Sequence, residues 1–152
     1  MFHPFEYRAI VTKVNWKIRS LIEDGAVVDG DSAYFFYDEG ERNYTNPLNR
    51  FAFVDTPEMN GRHSNYWKGD PQADRISVEA KEFVKTAIQG KEVFCRSMGL
   101  GKYGRRLPLI WVSETLANTE DPRKTLNQLL IDEGLAKRAY DKKNVLRDKE
   151  AA

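Results

Sequence analysis

The sequence predicts an α+β domain in which five short strands close, wholly or partly, into a small barrel and two to three helices pack against it. Three observations carry this expectation. Short β-branched and aromatic runs recur along the chain, separated by turn-forming residues. Two segments switch to helical periodicity, each with its own start and stop signals. The order, strands first, then a helix, then more strands and a final helix, differs from the alternating pattern of a parallel sheet. With 152 residues, 41% apolar and 31% charged, the chain is near the size of one globular domain and is large enough to bury a core without disulfides. No repeat or linker divides it, so a single domain over residues 1–152 is expected.

The first strand is expected over residues 8–14 and the second over 33–37, with Asp38-Glu39-Gly40 as the turn of a hairpin. Residues 51–54, 92–97 and 106–112 supply further strands. In the first helix Ala73, Ile76, Ala80, Phe83, Val84, Ala87 and Ile88 fall on one face. Asp70 offers a cap, Pro71 the first helical position and Gly90 a left-handed stop. The second helix starts on the capping-box pattern Thr125-Leu126-Asn127-Gln128, presents Leu126, Leu129 and Leu130, and stops at Gly134. Residues 59–72 are polar and read as an exposed loop. Residues 15–27, with Trp16, Ile18, Leu21 and Ile22, read as an insertion or extended hairpin, and 141–152 as a charged tail with weak helical character.

Lys and Arg number 24 against 23 Asp and Glu, a net charge of +1, so any attraction to polyanions must come from local clusters. The single Cys95 cannot close a disulfide within the chain and reads as a small buried apolar residue. The start shows no basic segment followed by an apolar run, and no stretch is long enough to span a bilayer. The expectation is a cytoplasmic protein without a signal peptide, or a mature form whose leader was removed, with neither a membrane nor an obligate protein partner.

Two histidines and one cysteine cannot build a usual zinc site. His63-Ser64 reads as a solvated loop, and Trp16, Trp67 and Trp111 as core or loop anchors. Gly99-Leu100-Gly101-Lys102-Tyr103-Gly104 has the spacing of a dinucleotide fingerprint, but a strand with Pro108 follows where a helix is required, so it reads as a flexible turn. Lys137, Arg138, Lys142 and Lys143 read as a solvated basic face.

The stronger constellation begins with Val28-Asp29-Gly30-Asp31-Ser32, carboxylates around a glycine just before a strand. It continues in Arg50-Phe51-Ala52-Phe53-Val54-Asp55-Thr56-Pro57-Glu58, an apolar strand bracketed by an arginine and a cluster of acids. Pro57 biases Thr56 toward extended geometry and holds Asp55 and Glu58 rigidly at the strand end. Five steps of extended strand span roughly 16 Å, so Arg50 must lean along a curved strand to meet Asp55. A basic and aromatic run, Lys102-Tyr103-Gly104-Arg105-Arg106, completes the set.

These three motifs, with Leu126-Asn127-Gln128-Leu129-Leu130-Ile131-Asp132-Glu133-Gly134-Leu135-Ala136, resemble in order the staphylococcal-nuclease-like (thermonuclease) family over about residues 8–140. The resemblance implies an OB-fold barrel with packed helices. It also implies a calcium-dependent endonuclease that acts on DNA and RNA, single-stranded or locally opened, and cleaves the 5′ O–P bond to leave 3′-phosphate ends. Carried over position by position, it makes Asp31 and Asp55 carboxylate ligands of Ca2+, with the backbone carbonyl of Thr56 a third. It makes Glu58 the general base and Arg50 and Arg105 the phosphate-binding pair. Lys102, Tyr103 and Tyr140 become peripheral substrate contacts. The chain departs from the family at 15–27 and at Gly101, where an acidic residue is frequent. The alternative is a noncatalytic OB-fold module that binds single-stranded nucleic acid or another protein. Such a module has no need of Glu58 beside two metal-type aspartates.

Overall fold

The computed structural model describes residues 6–15, 20–22, 25–38, 44–100 and 106–139. Its main sheet has seven strands and is antiparallel throughout. A central path runs β10 (Arg106–Trp111), β9 (Glu92–Leu100), β1 (Tyr7–Val11), β5 (Ser32–Asp38), β4 (Val27–Asp29). Strands β6 (Tyr44–Thr45) and β7 (Leu48–Arg50) also pair with β5. Strand β5 is the hub because its side chains alternate, as a half-buried strand requires. Ala33, Phe35 and Tyr37 are buried in the core while Tyr34 and Phe36 are half-buried on the other face. Helix α1 (Ala73–Ile88) covers the core with the stripe Ala73, Ile76, Ala80, Val84 and Ile88, the face expected from its periodicity. Gly90, with φ +76°, ends the helix, and its N–H donates to the Val11 carbonyl at 2.7 Å.

Strands β2 (Lys13–Asn15) and β3 (Ser20–Ile22) pair with each other, Lys13 opposite Ile22 and Asn15 opposite Ser20. This antiparallel pair lies apart from the main sheet. Asn46 fastens its base: Oδ1 accepts from Val14 N–H at 2.8 Å, while Nδ2 donates to the Thr12 and Phe35 carbonyls. Trp16 and Ile18 lie outside the described residues, as do most of the turn at 38–40 and the tail from 140.

Three local expectations are corrected. Residues 51–53 do not form a strand. Phe53 has φ +64°, and the chain turns between β7 and β8 (Val54–Asp55). The turn serves two cores at once: Phe51 enters the main one, while Ala52 and Phe53 join a second with Phe94, Leu107, Leu109 and Trp111. Burying a phenylalanine in each core offsets a positive φ, which costs on the order of 1 kcal/mol or more. The first helix begins at Ala73 rather than Pro71. Asp70 closes the preceding turn, its carboxylate accepting from Gln72 N–H at 2.8 Å and its carbonyl from Ala73 N–H at 3.2 Å. Third, residues 59–72 are not wholly exposed, since Trp67 is buried.

Helix α2 (Glu114–Ala117) and a 3-10 turn (Pro122–Lys124) lead to α3 (Leu126–Asp132). Thr125 caps α3 by accepting from Gln128 N–H at 3.2 Å. The Gln128 side chain does not return the bond; it donates to Asp132 and accepts from Arg138, so the capping box is half made. Leu126 and Leu130 are buried, but Leu129 is 37% exposed. Strand β11 (Lys137–Arg138) then pairs with β8, Lys137 opposite Asp55. Among the described residues no helix is long and apolar enough to cross a membrane.

Candidate active site

The site grows from two short segments that the sheet and α1 press together. The first is the turn Gly30-Asp31 between β4 and β5, where Asp29 pairs with Ser32. Helix α1 crosses so close that a Cβ on Gly30 would lie 2.5 Å from the Ala80 methyl and 3.0 Å from Thr56 Cγ2. Only glycine fits, and the two aspartates beside it are thereby aimed at the second segment, residues 55–59.

That segment is held by side chains. Thr56 N–H donates to Asp31 Oδ2 at 3.1 Å, Glu58 N–H to His63 Nδ1 at 3.2 Å and Met59 N–H to Asp29 Oδ1 at 2.9 Å. Pro57 has no N–H to satisfy, so each main-chain N–H from Thr56 to Met59 has a side-chain acceptor. Asp55 is fixed at three points: Oδ1 accepts from Arg50 Nη2 at 2.6 Å, Oδ2 from the Ser64 hydroxyl at 2.5 Å, and its carbonyl from Trp67 Nε1 at 2.9 Å. Arg50 Nη2 is also 3.6 Å from Asp31 Oδ2. The long reach expected of Arg50 does not arise, because the turn at 51–53 brings β7 and β8 back together at their ends.

Both carboxylates are almost wholly buried, their side chains 3% and 5% exposed, whereas that of Arg50 is 39% exposed. The guanidinium thus sits beside two buried acids on a side chain that is itself partly open to solvent. Burial pushes the Asp31 carboxyl up to about 7, against the lowering effects of Arg50 and the Thr56 N–H; Asp55 and Asp29 raise it further. Burial alone would lower the Arg50 pKa, but Asp31, Asp55 and Glu58 together hold it above its ordinary value. With Asp31 ionised, one cation faces two buried carboxylates, a setting that favours a further cation. The donors are hard oxygens, suited to Ca2+ or Mg2+ rather than to a soft metal. The Thr56 hydroxyl is buried there with no hydrogen-bond partner. Among the described residues no cluster of three or more His, Cys, Asp or Glu could hold a metal; the acidic set is the pair Asp31 and Asp55.

Of the residues expected from the sequence, Asp31, Arg50, Asp55 and Thr56 are in contact, and Glu58 lies two residues beyond Thr56 on the same turn. Lys102, Tyr103, Arg105 and Tyr140 lie outside the described residues, as does Gly101. The neighbours of these positions are placed: β10 starts at Arg106 and bonds to the turn through Ala52 N–H to the Pro108 carbonyl, while Ala139 N–H donates to the Phe53 carbonyl. His63 and Ser64, expected in a solvated loop, instead bond to Glu58 N–H and to Asp55, and their proximity to Glu58 in the sequence is the only signal of this. Nor is Lys137 the free surface cation that its place in a basic run suggests. Lys137 Nζ donates to the Tyr66 carbonyl at 2.8 Å and lies 4.2 Å from the Trp67 ring centroid, strapping the loop that carries Ser64.

A profile of staphylococcal nuclease homologues matches residues 49–152, more than half of the chain. The chain belongs to that family. This staphylococcal nuclease homologue accordingly has an OB-fold within an α+β architecture, in a family of nucleases and nucleic-acid-binding domains. The matched segment contains Arg50, Asp55, Thr56 and Glu58, together with Lys102, Tyr103, Arg105 and Tyr140. Asp31 precedes it and joins the site of this homologue through the β4–β5 hairpin. Comparison with individually curated proteins gave no match.

Proposed function

We propose that this staphylococcal nuclease homologue is a Ca2+-dependent endonuclease that hydrolyses phosphodiester bonds of DNA or RNA, single-stranded or locally opened. In this reading it cleaves the 5′ O–P bond and leaves 3′-phosphate ends. The observation that supports this best is Arg50 beside buried Asp31 and Asp55, next to the Pro57-stiffened turn that carries Glu58. Asp31, Asp55 and the Thr56 main-chain carbonyl would hold the cation. When bound, Ca2+ neutralises negative charge and polarises the phosphoryl oxygens.

The protein side chains supply the rest. The solvent-facing donors of Arg50 take a nonbridging phosphate oxygen and strengthen their hold as charge grows in the transition state. Arg105 is the second arm of that clamp. Glu58 accepts a proton from the attacking water as its oxygen bonds to phosphorus. The P–O5′ bond breaks, and the 5′ oxygen leaves as a hydroxyl after taking a proton from solvent. Lys102, Tyr103 and Tyr140 contact the strand beyond the scissile phosphate, where aromatic side chains stack on bases irrespective of sequence.

The test is cleavage of single- and double-stranded DNA and of RNA, with Ca2+ and with chelator, and with the product ends identified. Cleavage should require the ion, and Glu58→Gln should lower kcat by roughly 100-fold to 10,000-fold. Arg105→Ala should lower it by about 100-fold or more. Undiminished cleavage by the Glu58→Gln/Arg105→Ala double variant overturns the assignment. No cleavage by the wild type with any divalent ion, while nucleic acid is still bound, leaves a noncatalytic binding module instead.

A further inference from the structure

Glu58 follows a residue without an N–H and precedes Met59, whose N–H is taken by Asp29. Its own N–H points to a ring nitrogen, His63 Nδ1, at 3.2 Å. Nδ1 accepts only when it carries no proton, so the neutral ring has its proton on Nε2. Nε2 lies 2.7 Å from Asp74 Oδ1, and Asp74 stands in the first turn of α1, where the exposed helix amides favour a carboxylate. The ring itself is mostly enclosed, 12% exposed, while Asp74 is 88% exposed. A continuous path, α1 to Asp74 to His63 to Glu58 N–H, therefore links the longest helix to the loop bearing the acid. The next residue, Ser64, donates to Asp55, so one dipeptide is tied to both acids of the 55–58 segment.

We propose that His63 is a positioning residue for Glu58: its unprotonated Nδ1 fixes the Glu58 backbone, and Asp74 sets the tautomer and ring plane from α1. The role rests on the nuclease reading, in which the Glu58 carboxylate meets the attacking water. A backbone anchor matters there because a displacement of about 1 Å in a catalytic group costs on the order of 100-fold in rate. His63 touches neither of the buried carboxylates, so the effect falls on turnover rather than on cation or substrate binding.

Four measurements on the full chain decide the matter. Nitrogen-15 NMR of the wild-type ring should show the proton on Nε2; a proton on Nδ1 overturns the proposal. His63→Ala should lower kcat by roughly 10-fold to 100-fold, with KM and Ca2+ affinity by calorimetry close to wild type. It should also speed hydrogen exchange of the Glu58 amide. His63→Asn, whose side-chain oxygen replaces Nδ1 as acceptor, should recover most of the rate, and Asp74→Ala should cost a few-fold in kcat where Asp74→Asn costs nothing. An unchanged kcat in His63→Ala overturns the proposal while leaving the nuclease reading intact, and so does an equal loss in Ca2+ affinity and kcat, the mark of a collapsed loop. Absence of cleavage by the wild type is a different outcome, which overturns the nuclease reading and the kinetic role of His63 with it.

Discussion

Asp31 is 2% exposed and has one guanidinium nitrogen 3.6 Å away. That compensation is too small for its burial, so its carboxyl is held at about 7 against an ordinary 3.8. The consequence for stability has a definite sign. Between those values the folded protein binds a proton that the unfolded chain has released, so the contribution of Asp31 is full below pH 3.8 and is lost as pH rises toward about 7. In chelator, wild type should therefore lose stability across that window relative to Asp31→Asn, which cannot titrate. Urea unfolding at a series of pH values checks this, and parallel curves for the two proteins would contradict it. At this scale the chemistry was legible in the sequence where it is local, as in Asp55-Thr56-Pro57-Glu58. His63 and Ser64 were not legible, because nothing in a polar loop says which of its side chains turn inward.

At the scale of elements, the position of α1 on the β4–β5 turn decides what Gly30 must be. Asp-Gly is an ordinary turn signal, and the sequence places Gly30 between two carboxylates of the site without saying why a glycine must stand there. The tertiary reason is steric: an added methyl meets Ala80 at 2.5 Å. Gly30→Ala should destabilise the protein by about 1–3 kcal/mol and weaken the bonds from Asp31 and Asp29 to residues 56 and 59. Adding Ala80→Gly should restore part of the loss, and thermal unfolding of the double variant measures the coupling; strictly additive effects would show that the contact is not the cause. The turn at 51–53 teaches the same lesson. Phe51-Ala52-Phe53-Val54 has strand composition, yet two hydrophobic clusters claim alternate phenylalanines and bend the chain.

Across the whole molecule, Asn127 joins pieces that are far apart in sequence. Its Oδ1 accepts from Ile110 N–H at 2.9 Å, and its Nδ2 donates to the Ala52 and Pro108 carbonyls at 2.8 and 3.1 Å. One buried amide thus ties α3 to β10 and to the turn that delivers Arg50 and Asp55. Asn127→Ala removes these three bonds and strands the Ile110 N–H and the Ala52 carbonyl, while the Pro108 carbonyl keeps the Ala52 N–H; it should cost about 2 kcal/mol or more, read as a lower urea midpoint at unchanged slope. The sequence offered this residue as part of a capping box and of a family motif, with no sign of these long-range bonds.

Strand and helix types, the caps at Thr125 and Gly90, and the identity of the acids and arginine that meet at the centre follow from the sequence by itself. Each depends on periodicity or on neighbours within a few residues. The tertiary structure alone decided that Arg50 reaches Asp55 by a turn rather than along a strand, that Gly30 answers to Ala80, and that His63 holds Glu58. These outcomes depend on which surfaces pack together, and packing brings into contact residues between which the chain itself imposes no spacing.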